Sequence, residues 1–179
     1  VIQMAVSVTR ASAGLSVSSQ VASGTGAVYS FSKSFENDLK DSSGNFIFDR
    51  VFALDDYDLT VASGNLDIDL FDLGSIDLGA GAGEDALGLS HANAKIHLLA
   101  IQNKDVTNGG TLRIDNSVTN AWTGILPAAA TLDIPKGGFL VVQFGDDGST
   151  ITDASNHMLR LSAQTSDCQI NFAFFSSQS

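Results

Sequence analysis

Cysteine is almost missing from this chain: Cys168 stands alone among 179 residues, so no internal disulfide can form and the fold does not depend on an oxidising compartment. Basic residues are scarce as well. Nine Lys and Arg against twenty Asp and Glu leave a net charge of −11, which provides no basic stripe to neutralise phosphates and disfavours direct nucleic-acid binding. No apolar run approaches the ~20 residues a membrane-spanning helix needs, so no membrane partner is expected. The opening "VIQMAVSVTR" lacks the basic flank and long apolar run of a secretory signal. No Asn-x-Ser/Thr sequon is present. Helical signal is confined to "ENDLKD" and "EDALGLSH", each a turn or two at most.

What remains is a chain that is 44% hydrophobic and only 16% charged, a globular composition. Its length fits one domain, able to bury roughly 70% of its unfolded surface, with residues 1–25 as an extended N-terminal arm. Nearly all the acids are Asp, which initiates turns, rather than Glu, which favours helix surfaces. Period-two alternation runs almost throughout. "IQMAVSV" and "AVYSFSKSF" alternate, the latter with Tyr29, Phe31 and Phe35 on one side. "FIFDRVFAL", "YDLTVA", "NLDIDLF", "KIHLLAIQN", "TLRIDN", "TLDIP", "GFLVVQF", "MLRLSAQ" and "CQINFAFF" follow. Turn signals separate them at Gly64-Asn65, Asn108-Gly109-Gly110, Pro135-Lys136-Gly137-Gly138 and Asp146-Asp147-Gly148, while "LGAGAGEDALG" reads as a loop. About ten short strands with regular turns predict an all-β fold, an antiparallel, jelly-roll-like β-sandwich.

The stretch "GNLDIDLFDLGSIDLG" sets Asp67, Asp69, Asp72 and Asp77 among aliphatic residues and raises a metal question. A two-residue Gly64-Asn65 loop closes a hairpin that puts Val61 opposite Ile68 and Leu59 opposite Leu70 on one face. Thr60 then lies opposite Asp69, and Ala62 opposite Asp67, on the other. A one-residue slip would carry charge into the core, so the hydrophobic pattern alone accounts for the aspartates as a solvated face. Weak calcium candidates remain: Asp58 with Asp69 across the wet face, and Asp146, Asp147 and Asp153 around "GDDGSTITD". Neither matches a calcium-binding loop pattern, and no cofactor is predicted.

Other chemical candidates are thin. His91 and His97 have no metal-motif spacing, and His157 lies in a loop between strands. No Gly-x-Ser-x-Gly elbow, Walker loop or dinucleotide fingerprint occurs. Cys168 alternates with Ile170, Phe172 and Phe174, which reads as core packing rather than a nucleophile. Without a nucleophile, base and orienting group, no catalysis is expected. Trp122, in "NAWTGIL", is the candidate for stacking on a ligand, with Tyr29 and Tyr57 as further aromatics for a surface site.

The succession of "YDLTVASGNLDIDL", the segment from Ile96 to Leu126, "TLDIPKGGFLVVQF" and "MLRLSAQTSDCQINFAFF" resembles small all-β virion proteins encoded among the structural genes of bacteriophages. The likeness is carried by the Asn103-Lys104 turn, the Gly110-Thr111-Leu112 strand start, Asn120-Ala121-Trp122 and the Pro135 to Gly138 turn, over the C-terminal two thirds. It implies a capsid decoration or other virion surface protein, located in the virion, and transfers no catalytic residues. Its partners are then itself, as a homo-oligomer, or a major capsid protein. The alternatives are a carbohydrate- or receptor-binding module of a tail fibre or adhesin, and a secreted hydrolase.

Assembly is where the sequence is most specific. Closing Pro135 to Gly138 as a hairpin loop pairs Ile134 with Phe139 and Leu132 with Val141 as a core face. Leu140, Val142 and Phe144 then project away from that core, as do Leu99 and Ile101 in "KIHLLAIQN". A strand with one solvated face carries polar residues at such positions, so these five are predicted to be buried against another subunit.

Overall fold

A computed structural model of the chain describes residues 12–22, 28–39, 43, 45, 47–73, 92–104 and 109–178. Among them there are strands and turns and no helix. The strands are β1 (Ser12–Ala22), β2 (Val28–Asp38), β3 (Arg50–Leu59), β4 (Asn65–Asp69), β5 (Lys95–Asn103), β6 (Leu112–Asp115), β7 (Thr131–Ile134), β8 (Phe139–Gln143), β9 (Ser149–Thr150), β10 (Met158–Ala163) and β11 (Cys168–Ser177). The chain falls into two compact units, residues 1–46 and 47–179. In the first, β1 and β2 form an unbroken antiparallel ladder from Ser12↔Asp38 to Ala22↔Val28. Glu36 to Asp38, read as the start of a helical turn, belong to this ladder, and much of the expected arm at 1–25 is β1. The second helical signal, at 84–91, with His91, Asp77 and the glycine-rich loop, lies outside the described residues.

Among the described residues, the second unit holds two antiparallel sheets. One has the order β4-β10-β6-β7, the other β3-β11-β5-β8 with β9 also pairing β5. Chain neighbours therefore part company. β3 pairs β11 while β4 pairs β10, so the expected hairpin across Gly64-Asn65 does not form. Val61 to Gly64 instead make a tight turn, closed by the Gly64 amide on the Val61 carbonyl at 3.2 Å, that carries the chain from one sheet to the other. Gly64 sits at φ 79°, the left-handed region glycine adopts without strain. Val61, predicted to face Ile68, is 45% exposed. The expected hairpin across Pro135 to Gly138 is replaced in the same way, since β7 pairs β6 and β8 pairs β5.

Two bulges break the strict alternation. In β3, Leu54 pairs with Phe172 and Tyr57 with Ile170, so Asp55 and Asp56 together oppose Asn171. The extra residue moves the inward parity from Phe52 and Leu54 to Leu59. "FIFDRVFAL" and "YDLTVA", read as two strands, are thus one strand with a changed phase. In β5, Phe175 pairs with Leu98 and Ser176 with Ile96, which leaves His97 as the extra residue.

Both sheets feed one hydrophobic cluster. β11 contributes Cys168, Ile170, Phe172 and Phe174; β5 contributes Ile96, Leu99 and Ile101; β10 contributes Leu159 and Leu161 across from them in the chain order. Each such side chain is worth about 1.5–3 kcal/mol of burial. Cys168 is a 2% exposed member of this core, as its alternation predicts. Phe174 stacks on Phe52 at 5.3 Å between ring centroids and meets Phe172 edge-on at 5.9 Å.

Candidate functional site

The outward side of the β4-β10-β6-β7 sheet is a ladder of opposite charges. Arg160 stands between Asp67 and Asp115 in register, and its guanidinium donates to both Asp67 oxygens at 2.6 and 2.7 Å. Arg113 pairs across the ladder with Asp133 in the same forked way, at 2.7 and 2.9 Å. The bond to Asp133 raises the Arg113 pKa and lowers that of Asp133. Arg160 is likewise raised by its bond to Asp67. Asp115 is held below the usual carboxylate value by hydrogen bonding from Ser117, whose amide lies at 2.8 Å. Of the predicted solvated aspartates, Asp67 lies on this face but opposes Arg160 rather than Ala62, and Asp69 opposes Met158 rather than Thr60 with its side chain only 18% exposed beside His157.

The outward side of the other sheet is apolar. Its register lines up Ala53, Ala173, Ala100 and Val141 across β3, β11, β5 and β8. The next row is Val51, Phe175, Leu98 and Gln143, and the row on the opposite side is Asn171, Gln102 and Phe139. Phe48 closes one end, edge-on to Phe175 at 4.9 Å, and Leu98 is buried there although it points outward. The other end is open. Because three small side chains form its floor, a groove of about 310 Å³ runs over Ala53, Ala100 and Ala173, walled by Phe139 and Val141 and reaching Asp55, Gln102 and Asn171. Phe139 is 58% and Val141 52% exposed, the two most exposed large apolar residues described. At the groove's polar end the Asn171 side-chain amide donates to the Gln102 side-chain oxygen Oε1 at 3.1 Å, and its own oxygen accepts from the Asp56 backbone amide at 3.0 Å. Asp56, held at φ 53° in the bulge, is paired with Lys104.

This arrangement corrects the predicted interface. Leu99 and Ile101 are core residues at 0% and 1% exposure, and Leu140 and Phe144 pack against the same core, with Val142 half-buried. The five residues do share a side, because Ile101 pairs with Leu140 and Leu99 with Val142. That side is the interior. Pairing β8 to β5 rather than to β7 reverses its faces and leaves Phe139 and Val141 outside. The alanines of the groove went unnoticed for want of a hydropathy contrast; their only signal is that Ala100 and Ala173 stand where a solvated strand carries polar residues.

Trp122 is not a stacking platform. It is fully buried, meets Phe144 edge-on at 5.5 Å, and lies so close over Gly124 that a Cβ there would fall 2.1 Å from the indole. Tyr57 is 37% exposed at the edge strand β3, and Tyr29 occupies a β2 position paired with Val21.

The calcium candidates do not converge. Asp58 and Asp69 sit on different sheets. Asp58 accepts from Gln169 at 3.3 Å, while Asp69 accepts the Phe71 amide at 2.9 Å and approaches His157 Nδ1 at 2.8 Å. Asp146 and Asp147 are exposed in the turn closed by Gly148, and Asp153 is exposed in the next loop. Among the described residues no group of three His, Cys, Asp or Glu side chains is spaced to hold a metal ion. His97 is 2% exposed, contacts the Ser177 hydroxyl at 3.0 Å, and has its pKa lowered chiefly by burial. The serine and the carboxylate thus fall to different histidines.

No family model, curated protein or solved structure matches this chain.

Proposed function

We propose that the chain is a non-enzymatic virion structural protein with a jelly-roll β-sandwich, a capsid decoration or minor capsid surface protein that self-associates or binds the major capsid lattice. The observation that carries the fold part is the nesting of strand pairs. With the short β9 set aside, β3 pairs β11, β4 pairs β10, β5 pairs β8 and β6 pairs β7, outermost to innermost. Folding such a nested antiparallel ribbon over on itself gives the two sheet orders described, and this is how a double Greek key arises. Jelly rolls serve as viral capsid domains, lectins and cupins, so the fold narrows the function without fixing it. The resemblance of the C-terminal two thirds to phage virion proteins and the strongly acidic charge, unsuited to packaged DNA, support the capsid reading.

A carbohydrate- or receptor-binding module is the second reading. It moves from Trp122 to the open groove, where Phe139 offers an apolar ring face beside Asp55, Gln102 and Asn171. Peptide mass spectrometry on gradient-purified particles made from the genome that encodes the chain separates the two. The capsid reading expects the chain at many copies per particle, banding with the major capsid protein. Recovery only in the particle-free fraction, together with glycan binding lost in Phe139→Ala, would establish the second reading instead.

A further inference from the structure

We infer that the open outer face of the β3-β11-β5-β8 sheet is a homotypic contact surface whose occupant is a second copy of this chain, with Phe139 of each copy seated in the alanine-floored groove of the other. It deepens the self-association named above and rests on that reading only for its biological setting. Two observations carry it, and a third sets its strength.

The first is shape. An exposed ring, 58% accessible, stands directly beside a groove of about 310 Å³ on the same face. A two-fold axis between copies requires a self-complementary patch in which residue i meets j and j meets i. A projecting side chain next to its own receptacle meets that condition, and β8, at the end of its sheet order, leaves room for the approach.

The second is charge. Two copies at −11 each repel wherever acids face one another. The opposite sheet's outer face is charged, with both its arginines already committed to aspartates. Among the residues lining the groove, only Asp55 is charged, and it lies at the rim. This is the composition of an interface centre, where charged residues are depleted and aromatic ones enriched. At the polar end one hydrogen bond is already made within the face, from the Asn171 amide to the Gln102 side-chain oxygen at 3.1 Å. A saccharide would have to compete for those same amides, which favours the protein occupant.

The third is size. Four strands about 4.8 Å apart and three rows about 6.6 Å apart give a patch roughly 15 Å on a side. That is smaller than the ~800 Å² per partner of a standard interface, so the pair is weak in free solution. Copies held near one another on a lattice gain through effective concentration what the patch lacks in area.

The test is sedimentation velocity of the full chain from micromolar to millimolar concentration, with Phe139→Ser removing the projection and Ala53→Gln filling the groove. Wild type should rise toward dimer mass, and either variant should weaken the dissociation constant at least ten-fold with an unchanged melting temperature. A wild type that stays monomeric throughout overturns the inference, as does a dimer indifferent to both substitutions. Should a variant lose stability, mixing Phe139→Cys and Ala53→Cys chains reads the same contact, since disulfide-linked heterodimers support it and their absence refutes it. Glycan binding by the monomer that Phe139→Ser abolishes would hand the groove to a saccharide. Particle incorporation, scored on the same variants, keeps the readings apart: a chain that dimerises here but is missing from particles keeps this surface and loses the capsid setting. Incorporation by a chain that never dimerises does the reverse.

Discussion

The two sheets of the second unit turn opposite characters to the outside. Beyond β4, β10, β6 and β7, outward positions carry the forked pairs Asp67–Arg160 and Asp133–Arg113 together with Asp115; beyond β3, β11, β5 and β8 they carry mostly alanine, valine and phenylalanine, with Gln102 and Asn171 at one end. Inside, both sheets present the same aliphatic and aromatic core. Alternation therefore tells inside from outside on the first sheet and along β11, and fails along β5 and β8, where both parities are largely apolar. Only the pairing partner decides there.

The sharpest way to break this contrast is to compare the two sides of one sheet. Phe174→Ala, inside, should cost about 3–5 kcal/mol, the usual cost of an emptied aromatic site. Val141→Ser, outside and 52% exposed, should change stability by no more than about 0.5 kcal/mol. Urea denaturation of both variants checks the pair, and comparable losses would mean that the faces have been assigned the wrong way round.

Acid provides a smaller effect that belongs to the apolar sheet. The buried His97 has a lowered pKa, so between its folded value and the ordinary 6.5 the unfolded chain binds the extra proton. Stability is complete above that ordinary value and declines as pH falls below it, with a slope no steeper than about 1.4 kcal/mol per pH unit. His97→Gln should flatten the dependence of melting temperature on pH between 7 and 5. Asp115 and Asp133, with lowered pKa values, extend the loss at more acid pH, where wild type and variant should run parallel.

The smallest effect is expected on the charged sheet. Arg160→Gln removes the fork to Asp67 and should cost about 0.5–1 kcal/mol at low salt. Thermal melts in 1 M salt should shrink the difference, because ions screen exposed pairs. A salt-independent loss would show that Arg160 acts through packing.

Legibility in the sequence followed the same division. The strands "KIHLLAIQN", "TLDIP", "GFLVVQF" and "CQINFAFF" correspond to β5, β7, β8 and β11 with small changes at their ends. Asp67 was legible as a solvated residue because Asn65 and Asp69 share its parity in β4. The groove was not, because alanine gives no hydropathy contrast and because the bulges at Asp55-Asp56 and His97 shift the parity in the strands that frame it. β1 and the two-residue β9 were missed altogether, the second because so short a strand exists only through its pairing with Lys95 and Ile96.

By itself, then, the sequence determined that this chain is built of strands, that Cys168 is buried, and that its net charge is −11. Those properties follow from local alternation and composition, which a single strand carries with it wherever it pairs. Tertiary structure alone decided that β3 joins β11 across more than a hundred residues, that β8 turns Leu140 inward and Phe139 outward, and that Trp122 is sealed beneath Gly124. The physical reason is that an apolar side chain lowers its free energy equally against any hydrophobic surface, so period two states that a face must be covered and leaves the cover to whichever strand arrives.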